Sequence, residues 1–377
     1  MPIDYAQNEA MATIEEQIKE IQDEIDKTQK NKATQHHLGK LKAKISRLRD
    51  EAEKRRSSGG ATGKSYAVKK SGNATVGFVG FPSVGKSTLL TKITEAKSEI
   101  GAYEFTTLDV IPGVMAYRGA RIQVLDMPGM VKGAATGRGR GREILSVIRS
   151  LDLILLFLDV YNIHWEVLEK ELYSSGVRLN GKPPDINLSK KDRGGIEIHP
   201  TLELTHMDEE MATDIVREYG YINADVVIRE NVTEDRLIDF LSGNRVYIPA
   251  LLVLNKIDMV DKSQVVKIKK KLRGWKVVPI SADKEIGIDE LKEEIYSALD
   301  FISVYMKPQG KPADMNEPMV VKSGSTVGMI CEIIHRDFRR KFRYATVWGK
   351  SAKFPGQMVG LEHQLEDHDI LTIVVKR

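Results

Sequence analysis

Residues 78–90 read Phe-Val-Gly-Phe-Pro-Ser-Val-Gly-Lys-Ser-Thr-Leu-Leu. Val76, Phe78 and Val79 form a short apolar run that suits a buried strand, and Gly80 stops it. Lys86-Ser87-Thr88-Leu89-Leu90 then opens a helix. Between them lies Gly80-x-x-x-x-Gly85-Lys86-Ser87, the phosphate-loop pattern in the strand–loop–helix setting it requires. Gly80 and Gly85 let the backbone fold tightly enough to aim successive N–H groups at phosphate oxygens, and the helix N-terminus adds its positive dipole end. The expected cradle is Gly80, Ser83, Val84, Gly85, Lys86, Ser87 and Thr88. Lys86 is placed to reach the β- and γ-phosphates, and the Ser87 hydroxyl to ligate Mg²⁺. The stretch predicts a nucleoside triphosphate site on an α/β fold.

The chain has 377 residues, 41% hydrophobic and 29% charged, enough for two or three domains with their own cores. A net charge of +4 is too mild to indicate nucleic acid by itself, so local clusters must make that case. A single cysteine, Cys331, excludes an internal disulfide and a cysteine-rich zinc site. The start has no charged n-region followed by an apolar h-region, and no apolar run reaches about 18 residues. The expectation is a cytoplasmic protein without a membrane partner.

Outward from the phosphate loop, two further strand ends complete a nucleotide site. Arg121-Ile-Gln-Val-Leu125 alternates toward Asp126-Met-Pro-Gly129, the Asp-x-x-Gly of a GTPase. There Asp126 holds a Mg²⁺-bound water and the Gly129 N–H senses the γ-phosphate. Upstream, Tyr103-Glu-Phe-Thr-Thr-Leu108 supplies the threonine that closes over the γ-phosphate. Thr107 is the choice and Thr106 the reserve. The expected metal set is Ser87, Thr107 and Asp126; the catalytic set is Lys86, Thr107 and Gly129. Met130 stands where many GTPases carry a water-orienting glutamine, and its thioether cannot do that work. Hydrolysis then draws on backbone, a monovalent cation, Thr107 or a partner's side chain, with an intrinsic rate on the order of 10⁻³–10⁻² s⁻¹. Gly133 to Arg142 is rich in glycine and arginine and suits a loop ordered by nucleotide or partner.

Leu153-Ile-Leu-Leu-Phe-Leu158 reads as a buried parallel strand, and so does Ala250-Leu-Leu-Val-Leu254. The second ends in Asn255-Lys256-Ile257-Asp258, the guanine reader. Asp258 accepts from guanine N1–H and the 2-amino group, Asn255 meets the base edge and braces the phosphate loop, and the Lys256 stem covers the ring. Adenine offers no such donor pair, which disfavours an ATP-dependent enzyme. Ser281 and Ala282 begin the loop whose backbone N–H meets guanine O6. Between the two strands an α+β module is inserted, with strands near 178–179, 185–188, 195–199 and 224–229 and helices over 208–219 and 234–241. His199 and His206 flank a proline turn without a third ligand at metal spacing.

At the start, Met11, Ile14, Ile18, Ile21 and Ile25 make one helical stripe and Leu38, Leu41, Ile45 and Leu48 a second, with Thr34 as cap. This predicts a helical hairpin whose second helix has a basic outer face, followed by a flexible linker over 57–65. Near the end, Arg336, Arg339, Arg340, Lys341 and Arg343 gather beside Phe338, Phe342 and Tyr344, a mixture suited to RNA.

With these motifs in view, the chain resembles the developmentally regulated GTP-binding proteins, a branch of the Obg-like translation-factor GTPases, over essentially its full length. The resemblance rests on Tyr-Glu-Phe-Thr-Thr-Leu, Asp-Met-Pro-Gly-Met, the Gly-Arg-Gly-Arg-Gly loop and the module inserted before Asn-Lys-Ile-Asp. It implies a helical hairpin and linker at 1–70, a P-loop GTPase domain in two halves (71–161 and 246–302), a ribosomal-protein-like insertion at 162–245, and a ubiquitin-like β-grasp TGS domain at 303–377. It also implies a Mg²⁺-dependent, GTP-hydrolysing switch that cycles between GTP and GDP. Ribosomes or RNA are the implied partners, with a protein activator as a further one. Several relatives hold K⁺ with a phosphate-loop asparagine; this chain has Ser83 there, so K⁺ is an open cofactor. Met130 keeps a second reading alive, a nucleotide-gated interaction scaffold with slow, incidental hydrolysis.

Overall fold

The computed structural model describes residues 3–29, 31, 34–58, 72–94, 111–127 and 147–376. Thr106 and Thr107, Gly129 and Met130, the loop 133–142 and the expected linker from 59 onward lie outside the described residues. The chain divides into two compact units, one of residues 1–65 with 181–247 and one of 66–180 with 248–377.

The second unit holds two sheets. Six strands lie in the order Val277–Pro279, Ala250–Asn255, Leu153–Asp159, Ala74–Gly80, Ala120–Asp126, Ile111–Tyr117. All neighbours run parallel except the last pair, which turns back antiparallel through Arg118 and Gly119. The central runs Ala74–Gly80 and Leu153–Asp159 are buried at every position, as expected of strands covered on both faces. The helices Lys86–Ile93 and Ile288–Ala298 contribute Leu89, Leu90, Ile93, Leu291 and Ile295 to the same core as Phe78 and Phe157.

The second sheet orders Met319–Lys322, Phe301–Met306, Ile370–Val375, Phe342–Trp348 and Gln357–Val359. Phe301–Met306 runs parallel to Ile370–Val375, and the remaining pairs are antiparallel. The helix Val327–Ile334 packs Val327, Ile330 and Cys331 onto one face with Val304, Ala345, Val347 and Leu371, which is the β-grasp arrangement. Phe301 and Val320 also join the core beneath the six-stranded sheet. A polar seam runs beside them. The Asp152 carboxylate accepts from Thr75 N–H at 2.9 Å and from Lys322 Nζ, and Asn73 Nδ2 donates to the Val320 carbonyl at 2.7 Å.

In the first unit the helices Ile3–Lys27 and Gln35–Ser58 pair through Ile14, Ile21, Leu41, Ile45 and Leu48. The Thr34 hydroxyl at the start of the second helix accepts from Asn31 N–H, closing the turn between them. Ala224–Ile228 is the middle strand between Ile186–Lys190 and Ile196–Pro200. The helices Glu209–Glu218 and Glu234–Ser242 cover this sheet, capped by Asp208 and Thr233. Ala43 of the hairpin is part of that core, and Lys42 pairs with Glu234 and Asp235. The hairpin and residues 181–247 are thus one body, whereas 162–180, with the helix Trp165–Ser174, belongs to the other unit.

Candidate functional site: a phosphate loop and a base-reading loop

Four strands of the six-stranded sheet end side by side. Gly80 pairs with Phe157, Phe78 with Asp126, and Asn255 with Asp159. Parallel α/β sheets bind ligands at this carboxyl edge. Gly80 leads into the loop, where Ser83 (φ 62°) and Gly85 (φ 94°) adopt left-handed backbone. Gly85 has no substitute here, because a Cβ would collide with Asn255 Nδ2; at Gly80 a Cβ would meet the Phe157 carbonyl oxygen at 2.7 Å.

Lys86 is buried and its ammonium donates to the carbonyls of Gly80 (3.0 Å) and Phe81 (2.9 Å). Burial lowers its pKa from the ordinary lysine value, and the Asp126 charge only partly opposes this. Ser87 opens the helix, and its Oγ donates to Asp126 Oδ2 at 2.5 Å. Asp126 is buried, and among the described residues its Oδ1 has no hydrogen-bond partner. A buried carboxylate oxygen with no donor is costly, and here it adjoins a hydroxyl at the mouth of the phosphate loop. A hard divalent cation takes that set of oxygen ligands, so these residues fit Mg²⁺. Val84 is buried, and Thr88 faces outward on the first helical turn.

Asn255 is 2% exposed and spans two loops: Nδ2 donates to the Val84 carbonyl at 2.8 Å, and Oδ1 accepts from Ala282 N–H at 3.0 Å. The Ala282 amide is therefore engaged by Asn255. Ser281 is buried, and its Oγ accepts from Lys284 N–H, which tightens the same turn. Asp258 lies exposed on the short 3₁₀ turn Ile257–Met259. Lys256 has left-handed backbone, and its Nζ donates to Asp159 Oδ2 at 2.8 Å. Asp159 is an additional site residue. Its Oδ1 accepts from Tyr161 and Asn162 N–H, so it is a fixed anchor for the lysine stem. Its signal in the sequence was only its place as the last residue of an apolar strand.

In the C-terminal domain, Arg336, Arg339, Arg340 and Lys341 form the short helix Arg336–Lys341, and Arg343 is exposed just beyond it. Arg339 pairs with Glu332 and Arg340 with Asp337. Phe338 and Phe342 are half-buried and pack one side against the β-grasp core. In the other unit, His199 has carboxylate neighbours from the adjoining strand and its own: Asp225 at 3.4 Å and Glu197 at 3.7 Å. Lys191 neutralises both, at 2.6 Å and 3.1 Å.

A phosphate loop at one strand end, an aspartate at the next and Asn-Lys-x-Asp at a third define a P-loop GTPase. The family models agree. One described as "50S ribosome-binding GTPase" matches residues 75–190, one described as the C-terminal region of that domain matches 193–301, and a TGS domain matches 302–375. An uncharacterised GTP-binding protein of Methanocaldococcus jannaschii is 57% identical, covering 97% of this chain and 93% of its own length. Developmentally-regulated G-protein 3 of Arabidopsis thaliana is 46% identical over 97% of this chain and 100% of its own. Developmentally-regulated GTP-binding protein 1 of Xenopus laevis is 45% identical, over 95% and 98% respectively. The chain belongs to the family of developmentally regulated GTP-binding proteins, and it is a GTP-binding GTPase with a TGS domain. Among the described residues no helix is long and apolar enough to cross a membrane.

Proposed function

We propose that the chain is a Mg²⁺-dependent switch whose GTP or GDP state governs its association with ribosomes or RNA in the cytoplasm. The observation that carries the switch is the Ser87–Asp126 pair, with a buried Oδ1 that has no partner among the described residues, beside the phosphate loop. On this reading Ser87, Thr107 and Asp126 hold Mg²⁺, Asp126 through a water, and the ion supplies charge neutralisation between the phosphates. Lys86 leaves the carbonyls of Gly80 and Phe81 to donate to the β- and γ-phosphate oxygens. The N–H groups from Ser83 to Thr88 complete the cradle, and the Gly129 N–H reports the γ-phosphate. Asp258 reads the guanine edge, Asn255 braces it, and Lys256, held by Asp159, lies along the ring. The modules proposed to turn nucleotide state into association are the hairpin of 1–70, the insertion of 162–245 and the TGS domain of 303–377. The "50S ribosome-binding" description of the matching family supports the ribosome as partner, and the basic residues Arg336, Arg339, Arg340, Lys341 and Arg343 support RNA.

Met130 favours a second reading, in which GTP tunes the shape of an interaction scaffold and turnover is incidental. One experiment separates them: GTP turnover with Mg²⁺, in Na⁺ and then K⁺ buffer, with and without purified ribosomes, and with Lys86→Ala as blank. Stimulation by ribosomes that the blank lacks supports the switch. Slow, unchanged rates in every condition favour the scaffold, or a switch that needs a protein activator. The Na⁺/K⁺ comparison decides whether a monovalent cation compensates for Met130.

A further inference from the structure

The outer face of the β-grasp sheet carries a set of groups that neither the GTPase site nor the basic helix uses. Along Phe342–Trp348 the buried residues are Ala345 and Val347, so Tyr344, Thr346 and Trp348 point to the opposite face. Register places their neighbours. Trp348 lies beside Ile370, with Tyr305 on the far side of Ile370, Thr346 lies beside Thr372 and the exposed Met358, and Tyr344 beside Val374. Three aromatic rings therefore share one open sheet surface. None is fully buried, and Tyr305 already stacks on His368 with the ring planes 13° apart. Lys307 continues the first strand onto this face, and its ammonium sits 4.3 Å from the Trp348 ring centroid. Lys307, Tyr344, Thr346, Trp348 and Thr372 line a shallow cavity of about 210 Å³, with no carboxylate in its wall among the described residues.

We propose that this face is a stacking platform for single-stranded RNA; the inference rests on the RNA reading above and locates its contact surface. Flat, partly exposed rings on a sheet accept unpaired bases on their π-faces, whatever the sequence. Tyr344 and Trp348 are four residues apart on one strand, about 13 Å by strand rise, so two bases can occupy separate rings. A base on Trp348 displaces Lys307 from the ring to the phosphate that follows, where its charge is better used. The Thr346 and Thr372 hydroxyls between the rings are suited to a ribose 2′-OH. A wall without carboxylates complements a polyanion. An extended peptide would instead add to the free edge strand Gln357–Val359, leaving the rings out of the contact. The basic helix Arg336–Lys341 differs in kind: its Phe338 packs one side against the core and two of its arginines are paired with carboxylates.

The test uses the full chain and a fluorescein-labelled single-stranded RNA of about 12 nucleotides, a length within the usual site size. Anisotropy gives Kd for the single strand and for the matching duplex. Trp348→Leu and Tyr344→Ser should each weaken single-strand binding roughly 10-fold, Trp348→Phe should retain it, and the duplex should bind less tightly than the single strand. GTP turnover should be unchanged in all three, and retained binding by Trp348→Phe shows that substitution on this strand leaves the β-grasp sheet intact. If the wild type binds the strand but Trp348→Leu and Tyr344→Ser bind equally well, while Arg339→Ala or Arg343→Ala lose affinity, the platform is wrong and the RNA reading stands. If the wild type binds neither RNA, the RNA reading fails with it. A preference for duplex would also overturn the platform, because paired bases offer no free face.

Discussion

Asn255 and Val84 are joined by a hydrogen bond, Nδ2 donating to the carbonyl at 2.8 Å, although 171 residues separate them in the chain. With the second bond from Ala282 N–H to Asn255 Oδ1, one side chain holds the phosphate loop and the base-reading loop in register. Asn255→Ala would leave a buried carbonyl and a buried N–H unpaired at once. Removing one partner from a buried polar group costs about 1–3 kcal/mol. The variant should lose about that much in urea denaturation and bind GDP more weakly, through both loops together. Unchanged stability would mean that water replaces the side chain and that the brace is unimportant.

Asp258 is exposed at the rim of the site and owes nothing to folding, so its replacement tests recognition alone. On the proposed reading, Asp258→Asn would exchange an acceptor for a donor opposite the guanine 2-amino group and present a donor suited to the 2-oxo group of xanthine. GTP affinity should fall on the order of 10³-fold or more, and XTP affinity should rise. Equal GTP binding by the variant would remove Asp258 from the base-reading role. Stability should stay within about 0.5 kcal/mol of wild type.

The legible parts of this molecule were those where a strand end and its loop are written in one contiguous stretch. Gly80 to Thr88 and Asn255 to Asp258 needed only a fully buried apolar run to be placed on the carboxyl edge of a parallel sheet. Partners brought together by folding carried no such mark. Asp159 reaches Lys256 across 97 residues, and Asp152 reaches Lys322 across 170, as ordinary charged residues at strand ends. His199 has Glu197 two residues away on its own strand, but it acquired Asp225 only when Ala224–Ile228 was laid beside Ile196–Pro200. The basic stretch from Arg336 to Tyr344 shows the converse. One run of sequence mixes arginines with aromatics, but the chain turns from helix to strand within it, and a bulge between Phe342 and Tyr344 sends the two rings to opposite sides.

The Asp152–Lys322 pair belongs to the seam between the base of the six-stranded sheet and the β-grasp strand Met319–Lys322. Asp152 is almost fully buried and also receives Thr75 N–H, whereas Lys322 is half exposed. The carboxylate should therefore matter more than the ammonium. Asp152→Ala is expected to cost about 2 kcal/mol by leaving the Thr75 amide unpaired, and Lys322→Met less than half of that. Urea titration of both variants checks the order, and the reverse order would show that the ion pair rather than the amide contact holds the seam.

If Lys86 meets the phosphates as proposed, nucleotide binding should depend on pH. In the free protein burial holds the Lys86 pKa below the ordinary 10.5, and on the proposed reading the triphosphate charge would restore the protonated form on binding. The sign follows from proton linkage. Below the lowered value both states are protonated and affinity is flat. Between that value and the higher one in the complex, binding takes up a proton, so GTP affinity falls as pH rises. Folding has the opposite slope: the unfolded lysine keeps its proton up to 10.5, so the free protein gains stability as pH rises from the lowered value to 10.5. Titrations of Kd and of urea midpoint above neutral pH should show these opposed slopes. Lys86→Met should abolish both, together with most GTP affinity. A flat affinity profile would place the lysine away from the phosphates.

Ser87 and Asp126 make the strongest claim on Mg²⁺, because two independent readouts must move together. With no metal, Ser87→Ala removes the donor that Asp126 Oδ2 has among the described residues and leaves this buried carboxylate with neither oxygen satisfied by them. The apo protein should lose about 1–3 kcal/mol. Asp126→Asn keeps an oxygen to accept from Ser87 and removes the buried charge, so its apo stability should match or exceed wild type. Under nucleotide the order changes. In wild type, adding EDTA should speed GDP release, since on the proposed reading Mg²⁺ would neutralise charge between Asp126 and the phosphates. Both variants should release GDP at nearly the same rate with and without the chelator. If either retains the full Mg²⁺ effect, the metal is held by other groups, and the Oδ1 of Asp126, unpartnered among the described residues, has to be explained by an ordered water.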